Sequence, residues 1–325
     1  MIRVGIVGYG NVGRGAESAL LQSEDMILTG IYTRRDPETV QPMGETKVYP
    51  LSSLLEGAAE ADVLLLCGGS ATDLPVQTPE LAQKYCVVDT FDTHARIPEH
   101  FENVDRAAKA GKTAAIISTG WDPGLFSLMR LLGTAILPKG TGDTFWGPGV
   151  SQGHSDAVRR IEGVSDARQY TIPVQRTVNA VRRGESGFTA REKHTREVYV
   201  VLKEGADPQK VAREIITMPN YFDEYDTTVH FISREEMAAE HGSMPHGGFV
   251  IRSGGLGSEG QYPSLMEFKL ELASNPMFTG AVMVAFGRAC YRLHQQGRTG
   301  CFTVLDVPLG LLSPLSPEEL RSRLV

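Results

Sequence analysis

The chain has 325 residues, 41% of them hydrophobic and 22% charged, with a formal net charge of −7. That length suits two domains with sizeable cores, and the acidic balance excludes nucleic acid or an anionic membrane as the main partner. No apolar run is long enough for a bilayer, no signal-peptide pattern opens the chain, and Cys67, Cys86, Cys290 and Cys301 lie far apart without a C-x-x-C pair; a reducing, cytoplasmic setting without zinc or disulfides is expected.

Ile2–Val7 is an apolar run that reads as a buried strand, and Gly8-Tyr9-Gly10-Asn11-Val12-Gly13 follows it directly. A G-x-G-x-x-G string alone is weak. One that closes a strand and opens a helix has the context a dinucleotide fold requires. Gly8 permits the tight turn, Gly10 lets the backbone approach a pyrophosphate, and Gly13 lets the helix lie against the strand. The free N–H groups and positive end of that helix then face phosphate. Val12, Ala16, Ala19 and Leu20 recur at helical spacing. The next strand, Met26–Tyr32, ends in Thr33-Arg34-Arg35. About twenty residues past the glycine motif, NAD enzymes place an acid for the ribose hydroxyls and NADP enzymes an arginine for the 2′-phosphate. Two guanidinium forks match phosphate oxygens and favour NADP; a solvated basic turn beside Asp36 is the plainer alternative.

Ala61–Cys67, Cys86–Asp89 and Thr113–Ser118 are short apolar runs suited to strands buried on both faces of a parallel sheet. Ligands collect beyond the carboxyl ends of such strands. Three polar loops leave those ends: Cys67–Asp73, Asp89–His94 and Ser118–Gly124. The glycines of the first admit a cofactor. Asp92 and Asp122, from the other two, are placed to converge by a nicotinamide, where paired carboxylates suit a cationic amine. Asp92 also fits a turn aspartate. Asp122 also fits an N-cap, with Pro123 in the first turn of a helix whose apolar stripe is Leu125, Met129, Leu132 and Ile136.

Beyond that helix, strand-like runs follow in series over Gln169–Gln175, Glu197–Lys203, Thr227–Ser233, Gly248–Ser253 and Leu265–Leu272. One short helix starts near Asp207-Pro208 and another opens on a capping box at Ser233–Glu236. Thr144–Asp156 combines aromatics, three glycines and many hydrogen-bonding side chains, the composition of a binding lid. His154 within it is either an acid–base group or a structural hydrogen bonder. Met244–Gly248 is a further loop carrying a histidine. Asn275-Pro276 precedes a helix from about Thr279 to Gln295, with Ala281, Val284, Ala285, Ala289 and Leu293 inward, packing back on the first domain. The predicted fold is α/β: a Rossmann-type doubly wound parallel sheet plus a second α+β domain with a mixed or antiparallel sheet. The first domain covers residues 1–120 completed by 275–325, and the second covers 121–274.

With these pieces assembled, the chain resembles the meso-diaminopimelate dehydrogenases over essentially its whole length. Gly8–Gly13, Thr33-Arg34-Arg35, Gly69-Ser70-Ala71-Thr72-Asp73, Ser118–Gly124, Phe145–Asp156, Met244–Gly248 and Cys301-Phe302-Thr303-Val304-Leu305 match that family's pattern. The resemblance implies NADP-dependent, reversible oxidative deamination of meso-2,6-diaminopimelate at its D-configured centre. The implied products are ammonia and L-2-amino-6-oxopimelate, which cyclises to tetrahydrodipicolinate, formed by a homodimer that serves lysine and peptidoglycan precursor synthesis.

The resemblance also implies residue roles. Asp92 and Asp122 hold the reacting ammonium, with Trp121 as a wall. Trp146, Gln152, Gly153 and Asp156 line the substrate, while Thr171, Arg196, His246 and Asn275 take its carboxylates and far, L-configured end. Thr33, Arg34 and Arg35 carry the 2′-phosphate, and Gly10, Asn11 and Val12 the pyrophosphate. Gly8, Tyr9, Gly13, Cys67, Gly68, Gly69, Ser70, Thr72, Thr90, Phe91, Asp92, Gly120 and Trp121 complete the cofactor contacts. The base that activates water is not identified by the sequence. An aldehyde dehydrogenase of the same plan needs a reactive cysteine in a cleft loop, and a cyclic-imine reductase a basic cluster; neither is offered. Asp92, Asp122 and the Phe145–Asp156 motif speak against a non-catalytic NADP sensor.

Overall fold

A computed structural model describes residues 1–57 and 60–325. Its strands, in chain order, are β1 (Ile2–Val7), β2 (Met26–Thr33), β3 (Val48–Pro50), β4 (Val63–Leu66), β5 (Val87–Asp89), β6 (Ala114–Ile116), β7 (Thr141–Trp146), β8 (Gly149–Val150), β9 (Val164–Pro173), β10 (His194–Leu202), β11 (Asp226–Phe231), β12 (His246–Leu256), β13 (Tyr262–Leu272) and β14 (Gly300–Phe302). Two compact units share them. The first comprises Met1–Leu128 and Pro276–Val325, the second Met129–Asn275.

The first unit is built on a seven-stranded parallel sheet in the order β14-β6-β5-β4-β1-β2-β3. This is the doubly wound arrangement, with its switch point between β1 and β4. All four residues of β4 are fully buried, so that strand must be apolar throughout; each such side chain contributes roughly 1.5–3 kcal/mol. Helices Leu74–Ala82 and Ile97–Gly111 supply Leu74, Leu81, Val104 and Ala108 to the core on one face. The other face carries helices Asn11–Leu20 and Asn275–Gln295, where Cys290 Sγ reaches Val87 O and Ala114 O.

The second unit holds two sheets rather than the single one expected. A four-stranded sheet runs β11-β10-β9-β8, with β10 and β11 parallel and the remaining pairs antiparallel. Helices Gln152–Arg159 and Pro208–Ile216 cover it over Val158, Val198, Val200, Val211 and Ile215. A three-stranded antiparallel sheet runs β13-β12-β7. On it, Phe145 and Ile251 pack against Val178 and Val181 of helix Gln175–Arg182. His194 fastens one sheet to the other: it opens β10, and its Nε2 accepts from Trp146 N at the end of β7 (3.0 Å).

Several expectations are corrected. The helix expected from Asp122 begins at Leu125. Gly124 at φ +134° is non-helical, and a Cβ there would stand 1.8 Å from Gly120 O, so a tight turn occupies the place of a first helical turn. Asp122 is therefore not the N-cap. Of that helix's expected stripe, Leu132 and Ile136 are exposed, while Phe126 and Leu128 are buried; apolar residues surround this helix, which leaves its period ambiguous. The last long helix starts at Asn275, not Thr279, and is buried almost all round except at positions such as Ala281. The helix expected near Asp207-Pro208 starts at Pro208, with Asp207 as its cap, accepting from Gln209 N. Ser233 also caps, accepting from Glu236 N, but reciprocal capping boxes form instead at Thr189, Thr303 and Ser316.

Candidate active site

In the first unit the glycine motif has the geometry its spacing implied. Gly8 sits at φ +89°, and a Cβ on Gly13 would lie 2.3 Å from Gly8 O. A Cβ on Gly10 would meet nothing within 4 Å, and Gly10 ends the helix Asn11–Leu20 without any side-chain cap. The first turn thus faces open space with only backbone around it, which is what a pyrophosphate needs. The Tyr9 ring is buried, its hydroxyl bonded to Glu17, and burial pushes it up to about 12. Tyr9 thus offers a cofactor its backbone rather than its ring. Glu17 also accepts from Met43 N and Gly44 N, and so ties the 40s segment to the glycine turn.

The arginines frame the same end of the sheet. Arg35 donates to Tyr9 O (2.6 Å), and its own N–H is held by Thr33 Oγ1 (3.1 Å). Arg34, largely exposed, pairs with Asp73 at 2.8 Å, and Asp73 also accepts from Gly69 N at 3.0 Å. The Arg34 guanidinium and the bond from Gly69 hold the Asp73 carboxyl below the usual range despite its burial. Asp73 lay inside a quoted motif, yet no local signal marked it as the partner of Arg34, thirty-nine positions away.

Desolvation pushes the Cys67 thiol up to about 12, which disfavours a thiolate there. Ser70 Oγ donates to Thr90 O (3.3 Å) and accepts from Asp92 N (3.0 Å). The loop after β4 therefore supports the loop after β5. Phe91 is buried and stacked on His100 at 4.1 Å, so only its main chain is available to a cofactor. Asp92 is exposed and Asp122 half-buried, beyond the carboxyl ends of the adjacent parallel strands β5 and β6. Trp121 is buried edge-on against Phe126.

In the second unit, Thr144–Asp156 is not a loop. It is the end of β7, a turn at Gly147, the bridge strand β8 and the helix Gln152–Arg159, capped by Ser151. Met244–Gly248 is likewise the entry to β12. Non-local pairing makes these strands, since Gly149 lies opposite Thr171 and Gly248 opposite Trp146.

That pairing gathers the expected substrate residues. Arg196 donates to Thr171 Oγ1, and its guanidinium lies 3.9 Å from the centre of the Tyr225 ring. A Cβ on Gly149 would meet the His246 ring at 2.6 Å, so His246 crosses directly over β8. Gln152 donates to Met244 Sδ, and Asn275 N to Met244 O (2.9 Å). Gly153 is exposed in the helix's first turn. Trp146, partly exposed, stacks on His194. Asp156 is ion-paired with Arg159 of the same helix.

His154 is disfavoured as a catalyst. It sits edge-on to Tyr221 and Phe222, and desolvation with nearby Arg196 pulls it down to about 4. Burial also lowers His246. Arg196 is 6% exposed, and burial lowers it too. Its Nε has no partner, and neither has the buried Gln169 Oε1, whose Nε2 reaches Thr171 Oγ1 (3.4 Å). Gln169 and Tyr225 were missed by sequence reasoning, because only the strand register places them beside Thr171 and Arg196. Among the described residues no cluster of His, Cys, Asp and Glu could hold a metal, and no helix is long and apolar enough to cross a membrane.

A family model described as the diaminopimelic acid dehydrogenase C-terminal domain matches residues 120–274. The chain is 59% identical over 325 residues to a protein named meso-diaminopimelate D-dehydrogenase from Ureibacillus thermosphaericus, covering 100% of this chain and 99% of that one. Its fold matches a diaminopimelate dehydrogenase of Corynebacterium glutamicum solved in complex with DAP (TM-score 0.91, 45% identity, 100% and 99% of the chains covered). It also matches an engineered D-amino acid dehydrogenase solved with NADP+ (TM-score 0.87, 44% identity, 100% and 99% covered).

Proposed function

The chain belongs to the diaminopimelate dehydrogenase family, and from that premise we propose that it catalyses the NADP-dependent, reversible oxidative deamination of meso-2,6-diaminopimelate at its D-configured centre. The products are L-2-amino-6-oxopimelate and ammonia, a step of lysine biosynthesis. The observation that carries the reading is Arg196: a buried guanidinium with an unpartnered Nε beside a buried hydroxyl. Burying such a cation is costly until an anion meets it. A substrate carboxylate is the fitting anion.

The residues fit NADP. The uncapped helix end above Gly10, with Asn11 and Val12, would hold the pyrophosphate, and Thr33, Arg34 and Arg35 the 2′-phosphate. When bound, NADP accepts the hydride from the substrate's Cα. Asp92 and Asp122 hold the reacting amine by charge, and one of the two takes up its single proton as it is made neutral. Thr171, Arg196, His246 and Asn275 bind the carboxylates and the L-configured end. Positioning of this kind fixes which Cα–H faces the nicotinamide, and it can supply on the order of 7 kcal/mol of the barrier. Hydride loss from the neutral amine leaves an iminium; water adds to its carbon, one proton of that water passes to nitrogen and the other to bulk water, and ammonia leaves as the C=O bond forms.

The first unit takes the dinucleotide, and the second supplies substrate and subunit contacts. The protein works in a reducing cytoplasm, in keeping with four unpaired cysteines, and as a homodimer. Leu131, Leu132 and Ile136, exposed by 44%, 39% and 53%, support a covered face in the second unit. The decisive assay mixes the protein with meso-diaminopimelate and NADP at alkaline pH and follows reduced nicotinamide by its near-ultraviolet absorbance. NADPH binding without turnover of that substrate would sink the reading and favour a sensor.

A further inference from the structure

We propose that Asp89 is a positioning residue: its buried carboxylate clasps the two strand-tip segments that carry Asp92 and Asp122 and so sets their spacing. The inference rests on the roles given above to those two acids.

Strands β5 and β6 pair only at Val87–Ala115 and Val88–Ile116. Beyond that short ladder the bonds between the tips converge on Asp89, the last residue of β5 and fully buried. One carboxylate oxygen, Oδ1, accepts from Phe91 N (3.1 Å) and from Ser118 N (2.8 Å). Phe91 immediately precedes Asp92, and Ser118 starts the segment that runs to Asp122. The main-chain oxygen of Asp89 accepts from Thr119 N (2.9 Å) and Thr119 Oγ1 (2.7 Å). A single residue therefore grips both tips.

The other oxygen, Oδ2, is fixed from behind by Thr78 Oγ1 (2.8 Å) and His100 Nε2 (2.7 Å). These come from the two helices on one face of the sheet. The His100 ring also stacks on Phe91, interplanar angle 20°, so the same histidine holds the carboxylate and the residue before Asp92. Four donors fill the acceptor sites of a carboxylate, leaving none for substrate. Ser118 gives an independent sign of tension at this point. It stands at φ +57°, a conformation that non-glycine residues keep only when their surroundings hold it. The Asp89 bond to Ser118 N is that hold.

The test compares full-length Asp89→Ala, Asp89→Asn and, as reference, Asp92→Asn. Each is assayed with saturating NADP against meso-diaminopimelate, and NADPH binding is titrated by fluorescence on the same samples. Loss of the clasp in Asp89→Ala is expected to lower kcat/KM by about a hundredfold, the scale of a misplacement near 1 Å. NADPH capacity should be retained and affinity fall much less than kcat/KM, because the glycine motif and the arginines lie on other strands, whereas only the contacts at Thr90, Phe91, Gly120 and Trp121 move with the tips. Asp89→Asn keeps an oxygen for both backbone N–H groups, while Thr78 Oγ1 and the His100 tautomer with a bare Nε2 can accept from the new amide; most of the activity returns. A wild-type kcat/KM in Asp89→Ala overturns the proposal, as does a loss matched by equal loss of NADPH-binding sites, or an Asn variant no better than Ala. Should Asp89→Ala not fold, His100→Phe with Thr78→Val decides: it keeps a ring on Phe91 but removes both partners of Oδ2, and unchanged kcat/KM at full NADPH capacity overturns the clasp. Wild-type activity in Asp92→Asn would instead sink the assignment of the acids, whereas an impaired Asp92→Asn beside a normal Asp89→Ala sinks only the clasp.

Discussion

At the scale of single residues, the proposed function gives Arg196 and Arg35 different anions, a substrate carboxylate and the 2′-phosphate. Arg196 has a hydroxyl and an aromatic face as its contacts, and no carboxylate lies against it among the described residues. Arg196→Lys loses the planar fork and the stacking, so KM for diaminopimelate should rise by about thirtyfold or more with a smaller fall in kcat, as about 2 kcal/mol of a buried charged contact is lost. Steady-state kinetics check the split; an equal fall of kcat at constant KM would refute it. Under the proposed function, Arg35→Ala removes one charge-assisted contact to the 2′-phosphate. The preference for NADP over NAD should drop about tenfold to a hundredfold, with NAD turnover little altered. The residues that were legible in the chain are those whose meaning is local, such as Gly8 with its positive φ and Gly13 packed on Gly8 O. Asp89, Gln169 and Tyr225 were not, because each acquires its role from partners brought by strand register or by other helices.

Among elements, the strands buried on both faces were readable because burial forces a continuous apolar run, as in β4. Those of the second unit were blurred where glycines and short pairings mix. Gly147 to Gly153 carries a turn, a two-residue strand and a helix start that composition alone presents as a loop. What holds this region is the joint between sheets at His194. It is 3% exposed, and its pKa falls from 6.5 to about 3, through desolvation first and then through Arg196 and Lys193. A histidine with a depressed folded pKa is protonated first in the unfolded chain, so stability is fully present above about pH 6.5 and is lost as the pH falls toward 3. By pH 5 the loss is about 2 kcal/mol. Thermal melts between about pH 7 and pH 5 should show Tm declining more steeply in the wild type than in His194→Gln, which can still accept from Trp146 N without titrating. Parallel slopes would remove His194 from the account.

For the molecule as a whole, the proposed dimer rests on where apolar surface is left exposed. Leu132→Asp with Ile136→Asp should convert the proposed dimer into monomers in sedimentation experiments, since charges at such positions oppose burial. A dimer of undiminished affinity would move the interface elsewhere. The first unit is interrupted by the whole of the second, and its edge strand β14 and the helix Asn275–Gln295 come last. During synthesis, the nucleotide-binding half must therefore wait on the order of ten seconds while the intervening residues emerge. Throughout that interval β6 has an unpaired edge and the inner face of β4 lacks its cover, a state that invites chaperone capture. A stop codon after residue 275 would spare every glycine and arginine of the phosphate site and yet deliver a protein unable to retain NADPH.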